Sequence, residues 1–135
     1  MRIILILFIN SCALLCYAQE SSPVTKKLLE IYTQRDLERL ENNHPTLLLR
    51  LNYYMTDAFQ IIDRKDLKPD LKWEGEIDMN PDDFNILKLE RDKGISPDSK
   101  KRKIYKIKNT EQALIYFSTS EFNDAFNAYR QNVKS

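Results

Sequence analysis

The pattern of apolar and polar residues is clearest between Lys100 and Val133, where it predicts two strands followed by a helix. Residues 102–108 and 113–117 are rich in β-branched and aromatic side chains, which suit a pleated, half-buried surface. The polar segment 109–112 between them has the length of a hairpin connection. The second strand is apolar on both faces, so we expect it to lie centrally in a sheet, with cover on each side.

Side chains alternate across a strand, so the first strand of this hairpin has two different faces. Tyr105 shares its face with Lys103 and Ile107. The opposite face holds one isoleucine among basic side chains, namely Arg102, Ile104, Lys106 and Lys108. Its charge predicts that this second face is mostly solvated.

A capping box at Ser118–Glu121 predicts the start of a C-terminal helix. From there the period changes from two to three and four, which is typical of a helix with one apolar stripe. The stripe consists of Phe122, Ala125, Phe126, Tyr129 and Val133. We expect it to bury its aromatic side chains on the sheet.

Helical signals dominate the N-terminal half. Residues 24–32 suit a short helix or an edge strand, and we favour the helix. A capping box at Thr33–Asp36 opens a predicted helix over 34–42, and Pro45 opens another that runs to about Asp57. The last of these has a broad apolar face made by Leu47, Leu48, Leu51, Tyr54, Met55 and Ala58.

The middle of the chain gives weaker signals. Residues 58–63 alternate and predict a strand, and residues 71–78 indicate a second, weaker strand. Residues 84–90 fit either a strand or a helix. The elements together predict an α+β fold in which N-terminal helices pack with a small antiparallel sheet of three to five strands and a C-terminal helix.

The first 18 residues have the features of a signal peptide. Arg2 is followed by an apolar run over 3–9, and small residues precede the expected cleavage before Gln19. We therefore predict an exported protein, periplasmic or secreted, whose residues 19–135 form one domain. The alternative is a lipoprotein anchored at Cys12.

Removal of residues 1–18 changes the chemistry available to the protein. Cys12 and Cys16 are the only cysteines, so the mature chain has neither disulfides nor thiols. Arg2 is the one charged residue removed, which leaves 20 acidic and 20 basic side chains. This balance gives no global field that would recruit nucleic acid or a membrane surface.

Residue types needed for common active sites are scarce. His44 is the single histidine, and without cysteine it cannot complete a common zinc site or a Cys/His nucleophile. Gly75 and Gly94 are the only glycines, so no glycine-rich loop can cradle a nucleotide. We predict no catalytic residue, no metal site and no cofactor.

Two acidic features were weighed against these absences. Residues 78–83 place oxygen ligands at alternate positions, as calcium loops do, but Asp83 stands where the EF-hand loop needs glycine, and we favour turn and capping roles. Glu74, Glu76 and Asp78 share one face of the weak strand. Paired carboxylates can support glycoside hydrolysis, so a hydrolase is a third functional hypothesis.

An acidic segment, 74–83, and a basic segment, 100–108, complement each other. If the two segments form neighbouring strands, we expect cross-strand ion pairs between acidic and basic side chains: Glu74, Glu76 and Asp78 with Arg102, Lys106 and Lys108. The same basic strand could instead bind an anionic ligand or polymer. The candidate binding residues are Lys103, Tyr105, Lys106 and Lys108, with Tyr53 as a second aromatic group.

Several short sequences resemble those of small uncharacterised exported proteins of Bacteroidota: Leu51-Asn52-Tyr53-Tyr54, residues 59–63, residues 103–108, residues 114–118 and the Ala18-Gln19-Glu20 junction. The resemblance implies export but no activity and no functional residue. The first functional hypothesis is therefore a non-enzymatic module that contacts another envelope protein. An anion-binding protein is the alternative.

Overall fold

A computed structural model describes residues 22–134 and has the α+β architecture predicted from the sequence. The predicted signal peptide, with both cysteines, lies outside the described residues. Within them the α-helices and strands are, in chain order, α1 Pro23–Leu29, α2 Gln34–Asn43, α3 Pro45–Asp57, β1 Phe59–Asp63, β2 Gly75–Ile77, α4 Ile86–Lys93, β3 Lys103–Ile107, β4 Gln112–Tyr116 and α5 Thr119–Lys134. Short 3-10 helices occupy Arg64–Asp66 and Pro81–Asp83.

Local sequence signals set most helix boundaries, as predicted. The Thr33 hydroxyl accepts the backbone N–H of Asp36 at 3.2 Å at the start of α2. The ambiguous segment 84–90 is helical, with Asn85 capping α4 and Gly94 ending it in a left-handed conformation at φ 65°. Between residues 22 and 134, no helix combines the length and apolar character needed to cross a membrane.

The four strands are arranged in the order β1-β4-β3-β2, so the prediction of a purely antiparallel sheet is wrong. Strand β4 is antiparallel to both of its neighbours, β1 and β3, whereas β2 is parallel to β3. A parallel pair needs a crossover connection, which is usually helical. Helix α4 provides it, and the sequence had left that segment undecided between helix and strand.

Strand β4 lies centrally and is covered on both faces, as predicted. The face that we call the helix face carries Leu114 and Tyr116, which are 0% and 1% exposed and belong to one core cluster with residues of α1, α3, α4 and α5. The opposite face, which we call the strap face, carries Ile104, Lys106, Ala113 and Ile115, together with Gln60 and Ile62 of β1.

Helix α5 begins at the predicted capping box. Glu121 accepts the backbone N–H of Ser118 at 3.0 Å, and the Ser118 hydroxyl accepts the N–H of Glu121 at 3.2 Å. Phe122 and Phe126 are buried, but the rest of the predicted stripe is exposed, with Val133 at 56%.

The aromatic face of α5 packs against helix α3 as well as the sheet. Tyr53 lies 5.6 Å from each of the Phe122 and Phe126 rings and stacks on Tyr129 at 4.7 Å. Arg50 of α3 also lies over the Phe122 ring, at 4.9 Å. The expectation that the aromatic side chains would be buried on the sheet is therefore wrong in part, because Tyr129 is exposed and stacks on Tyr53 of α3.

The connection from β1 to β2 must cross the whole sheet, because these strands lie at opposite edges. We call this connection, residues 64–74, the strap. It runs over the strap face, where Ile104 is 7% exposed and Lys106 is half-buried. The prediction that this face of β3 is mostly solvated is therefore wrong for Ile104 and Lys106, which the strap covers, whereas Arg102 and Lys108 are exposed.

Candidate functional site: the cavity under the strap

The strap and the strap face enclose a cavity of about 660 Å³. Its floor is formed by Ile62, Ile104 and Ile115, with Gln60 beside them, and Leu67 and Leu71 of the strap contribute an apolar wall. A volume of this size falls within the usual range of small-molecule sites, roughly 300–1,000 Å³. The cavity is therefore large enough for a small ligand and apolar at its base.

The rim of the cavity carries more basic than acidic side chains. The basic ones are Lys68, Lys72, Lys101, Arg102 and Lys103, and the acidic ones are Asp66, Glu74 and Asp98. Lys68 and Lys72 are exposed, and neither ammonium group has a hydrogen bond or ion pair with any residue between 22 and 134. These two lysines are available to an anion.

Asp98 and Lys103 at the rim already have partners. The Asp98 carboxylate accepts the backbone N–H groups of Lys100 and Lys101 at 2.8 and 2.9 Å, and these bonds hold the pKa of Asp98 below its usual range. The Lys103 ammonium donates to the carbonyl of Ser96 at 2.8 Å. Asp98 therefore orders the loop before β3.

Arg102 connects the rim to helix α5. Its Nε–H donates to Glu121 at 2.8 Å, and its guanidinium lies 5.0 Å from the centre of the Phe117 ring. Partial burial acts to raise the pKa of Glu121, but the hydrogen bonds from Ser118 and Arg102 outweigh it and hold that pKa below the ordinary value. Arg102 is thus engaged in the fold rather than free for a ligand.

The strap is fastened at both ends. At its start, the Arg64 guanidinium donates to the carbonyls of Thr110 and Gln112, the latter at 3.3 Å, and the Arg64 backbone N–H donates to Glu111 at 2.8 Å. At its end, the Trp73 ring lies 5.2 Å from the Lys106 ammonium. The middle of the strap, with Lys68 and Lys72, spans the cavity between these anchors.

The candidate binding residues chosen from the sequence do not form one site. Lys103 lines the strap cavity, Lys106 covers Trp73, and Tyr105 and Lys108 line a separate depression of about 440 Å³ at the β2 edge. Tyr53 faces α5, where it stacks on Tyr129. The basic residues of this strand therefore lie in different surroundings: the strap cavity, the Trp73 ring and the depression at the β2 edge.

The depression at the β2 edge gathers the three carboxylates of the acidic segment, Glu74, Glu76 and Asp78, all of which are exposed. Burial, and secondarily the negative charge of Glu74, raise the pKa of the Tyr105 phenol. The depression therefore holds acidic groups on its surface and a partly buried tyrosine.

The acidic and basic segments form neighbouring strands, β2 and β3, but they do not form the predicted ion pairs. Glu76 lies opposite Lys106 in the parallel register of β2 and β3. The ion pairs found within residues 22–134 are Arg91–Asp92 and Arg102–Glu121. Lys106 instead lies over Trp73, and Arg102 turns to α5, so strand pairing juxtaposes the charges without direct contact.

The calcium-like segment and His44 have structural roles. The Asn80 side chain accepts the backbone N–H of Asp82 at 3.0 Å, which is the turn role that we favoured. His44 lies between α2 and α3, where its backbone N–H donates to Leu40 at 2.7 Å. Among the residues described, no group of three His, Cys, Asp or Glu side chains could hold a metal ion.

A polar network crosses the helix side of the core. The Tyr54 hydroxyl donates to the Glu90 carboxylate and is hydrogen-bonded to the Tyr116 hydroxyl at 2.7 Å. Burial raises the pKa of Glu90, although the bond from Tyr54 opposes the shift, and burial together with Glu90 raises the pKa of Tyr54 strongly. The network joins α3, α4 and β4, and Glu90 lines none of the cavities described above.

Sequence reasoning missed the strap cavity. Residues 64–70 are mostly charged and give no sign that they cover a sheet, and Ile62, Ile104 and Ile115 fall within predicted strands. A clue was present in the second strand, because its two apolar faces required a second cover. No local pattern shows that the strap supplies it.

Comparisons of the chain with protein-family models, with curated proteins and with solved structures find no match.

Proposed function

We propose that this protein is an exported, non-enzymatic binding protein, and that it holds an anionic ligand at the cationic rim of the strap cavity. The observation that carries the proposal is the position of Lys68 and Lys72, two exposed cations without partners among the described residues, over a cavity of about 660 Å³. Export rests on the signal-peptide features of residues 1–18.

The charges by themselves supply only part of the affinity. An exposed ion pair contributes less than about 1 kcal/mol and is screened by salt. Two strap lysines with Lys101 nearby therefore favour weak, salt-sensitive capture of an anion. Contact with the cavity floor must add the rest.

Two observations favour binding over hydrolysis. Glu74, Glu76 and Asp78 are all exposed, whereas a carboxyl that acts as a general acid near neutral pH needs an environment that withdraws it from water. Glu90 does have such an environment, but it lies in the helix-side network with Tyr54 and lines none of the cavities described above.

Charge reversal at the strap tests the proposal. We expect Lys68→Glu/Lys72→Glu to weaken binding of the anionic dye anilinonaphthalene sulfonate by about tenfold, and the wild-type affinity to fall with added salt. Fluorescence titration measures both effects. The matched control is Lys26→Glu/Lys134→Glu, which changes net charge equally at exposed helix positions. Equal weakening in the control would show a general charge effect and contradict the site.

A protein partner is a second candidate, favoured by the surface of helices α3 and α5. Leu47 is 51% exposed beside a groove that also contains Phe126 and Arg130, and Val133 on α5 is 56% exposed. Capture from envelope extracts should lose a partner with Leu47→Glu and keep it with Lys103→Glu/Lys106→Glu. The reverse result would assign the partner to the basic strand instead.

A further inference from the structure

We propose that the ligand of the strap cavity is a single-chain anionic amphiphile, such as a fatty acid, bound as one molecule with its head group at Lys68 and Lys72 and its chain on the isoleucine floor. This inference rests on the proposed function, because it names the ligand class of the same site.

The cavity combines two kinds of surface that one amphiphile would satisfy. Ile62, Ile104 and Ile115 form an apolar floor, while Lys68 and Lys72 stand at the rim on the strap. A small inorganic anion would leave the floor without a partner. An uncharged hydrocarbon would leave the two ammonium groups without one.

Lysine is well suited to such a rim. Its charged head remains in water while its four-carbon stem lies along apolar surface. The strap alternates these lysines with Leu67 and Leu71, so apolar wall and charged rim come from the same short segment. A chain lying on the floor would therefore contact strap leucines and lysine stems while its head group meets the ammonium groups.

A polyanion fits the same surface poorly. A polymer requires a continuous row of cations along its backbone. Here Lys106 covers Trp73, Arg102 is paired with Glu121, and Lys108 lies in the separate depression at the β2 edge. The basic segment of the sequence is thus interrupted in space and offers a polymer no continuous row of cations.

A membrane surface also fits poorly. The strap crosses the sheet on the side of Ile104 and Ile115, so a bilayer, unlike a single chain, cannot reach the floor without displacing the strap. The large hydrophobic residues exposed between 22 and 134 all belong to helices: Leu29, Leu47, Tyr129 and Val133. The cavity can therefore admit one ligand molecule, but its apolar floor cannot contact the interior of a lipid layer.

Chain-length dependence provides the test. Each methylene placed on the floor should tighten binding about fourfold, from the usual gain on burying one such group. We expect the dissociation constants of hexanoate, octanoate, decanoate and dodecanoate to fall in that way until the cavity is filled. Isothermal titration calorimetry measures each dissociation constant, and the fluorescence of Trp73, the single tryptophan of the chain and a residue of the strap, gives a second readout.

Two variants separate the head-group site from the chain site. Lys68→Glu/Lys72→Glu should weaken the binding of all four fatty acids by a similar factor and leave the binding of dodecanol unchanged. Leu71→Gln alters a half-buried strap residue outside the sheet, and it should flatten the chain-length dependence while sparing hexanoate. Circular dichroism confirms that each variant is folded.

The possible failures are distinguishable. If the anionic dye binds through the strap lysines but the fatty acids show no chain-length dependence, the amphiphile is wrong and the anion-binding function stands. If neither dye nor fatty acid binds, both proposals fail. Binding to vesicles of anionic phospholipid that exceeds binding to monomeric dodecanoate would overturn the single-molecule site in favour of a membrane surface.

Discussion

The two faces of the sheet contain the same strands but have different covers. On the helix face, Leu114 and Tyr116 pack into a core that includes residues of four helices. On the strap face, their neighbours Ile104 and Ile115 are also buried, yet a cavity of about 660 Å³ lies above them. The two faces therefore differ in what covers them rather than in how exposed their strand residues are.

The difference follows from what each cover can supply. Helices bring a stripe of large side chains to the sheet, and α5 alone contributes Phe122 and Phe126. The strap is a mostly charged segment whose large apolar side chains are Leu67, Leu71 and Trp73. The Trp73 ring packs against the Lys106 ammonium group. Two leucines shield the floor from water but do not fill the space above it.

The clearest difference between the two faces should be the loss of stability when neighbouring residues of β4 are truncated to alanine. We expect Leu114→Ala to destabilise the protein by about 3–5 kcal/mol, because a closely packed side chain is lost and a new cavity forms. Ile115→Ala should cost nearer 2 kcal/mol, since its side chain already borders open space. Urea denaturation followed by circular dichroism measures both, and equal costs would contradict the comparison.

The polar network on the helix side should make the stability of the protein sensitive to the loss of a single hydroxyl group. Tyr54→Phe removes the hydroxyl that serves both Glu90 and Tyr116, and we expect a loss of about 1–3 kcal/mol, because a half-buried carboxylate is left without its donor. The control is Tyr105→Phe, whose hydroxyl has no hydrogen bond among the described residues. That change should stay within about 0.5 kcal/mol.

We expect the strap to open without unfolding of the core. Arg64→Met removes the guanidinium that fastens the start of the strap to Thr110 and Gln112, and we expect a loss of about 1–2 kcal/mol in unfolding free energy. Amide hydrogen exchange should rise in the strap and remain slow in β4. Faster exchange throughout the sheet would show that strap and core unfold as one unit.

Two carboxyl groups should give opposite pH dependences of stability. The lowered pKa of Glu121 contributes stability above the ordinary Glu value, which is lost as the pH falls through the lowered one. The raised pKa of Glu90 contributes stability that is fully present below the ordinary value and is lost as the pH rises through the raised one. Glu121→Gln should therefore reduce the loss of stability at low pH, and Glu90→Gln should reduce the loss of stability as the pH rises. Urea unfolding midpoints measured between about pH 3 and 7 test both.

Much of the fold could be predicted because its signals are local. The capping boxes at Thr33 and Ser118, the alternation over β1 and β3, and the apolar run of β4 lie within a few residues of the elements that they define. Segment 84–90 was ambiguous, since a short apolar run fits either period. Its helical structure is supported by the caps at Asn85 and Gly94, which could have been recognised in the sequence.

The candidate site could be predicted only in part. Lys103 was chosen from the sequence and does line the strap cavity, but Tyr105, Lys106 and Lys108 were grouped with it because they are consecutive in one basic strand. Tyr105 shares its face of β3 with Lys103 but lines the depression at the β2 edge, and Lys106 lies on the strap face but stacks on Trp73. The grouping failed because nearness along a strand is not nearness in a site.

The sequence by itself determined the α+β class, the hairpin of β3 and β4, the helix boundaries at the capping residues, and the need for cover on both faces of β4. Tertiary structure decided that β2 runs parallel beside β3, that α3 packs against the aromatic face of α5, and that the strap crosses the sheet. The physical reason is range: caps and periodicities act within a few residues, whereas strand order depends on contacts between distant segments. The cavity belongs to the second kind, because it exists only where a charged connection spans a sheet that it cannot fill.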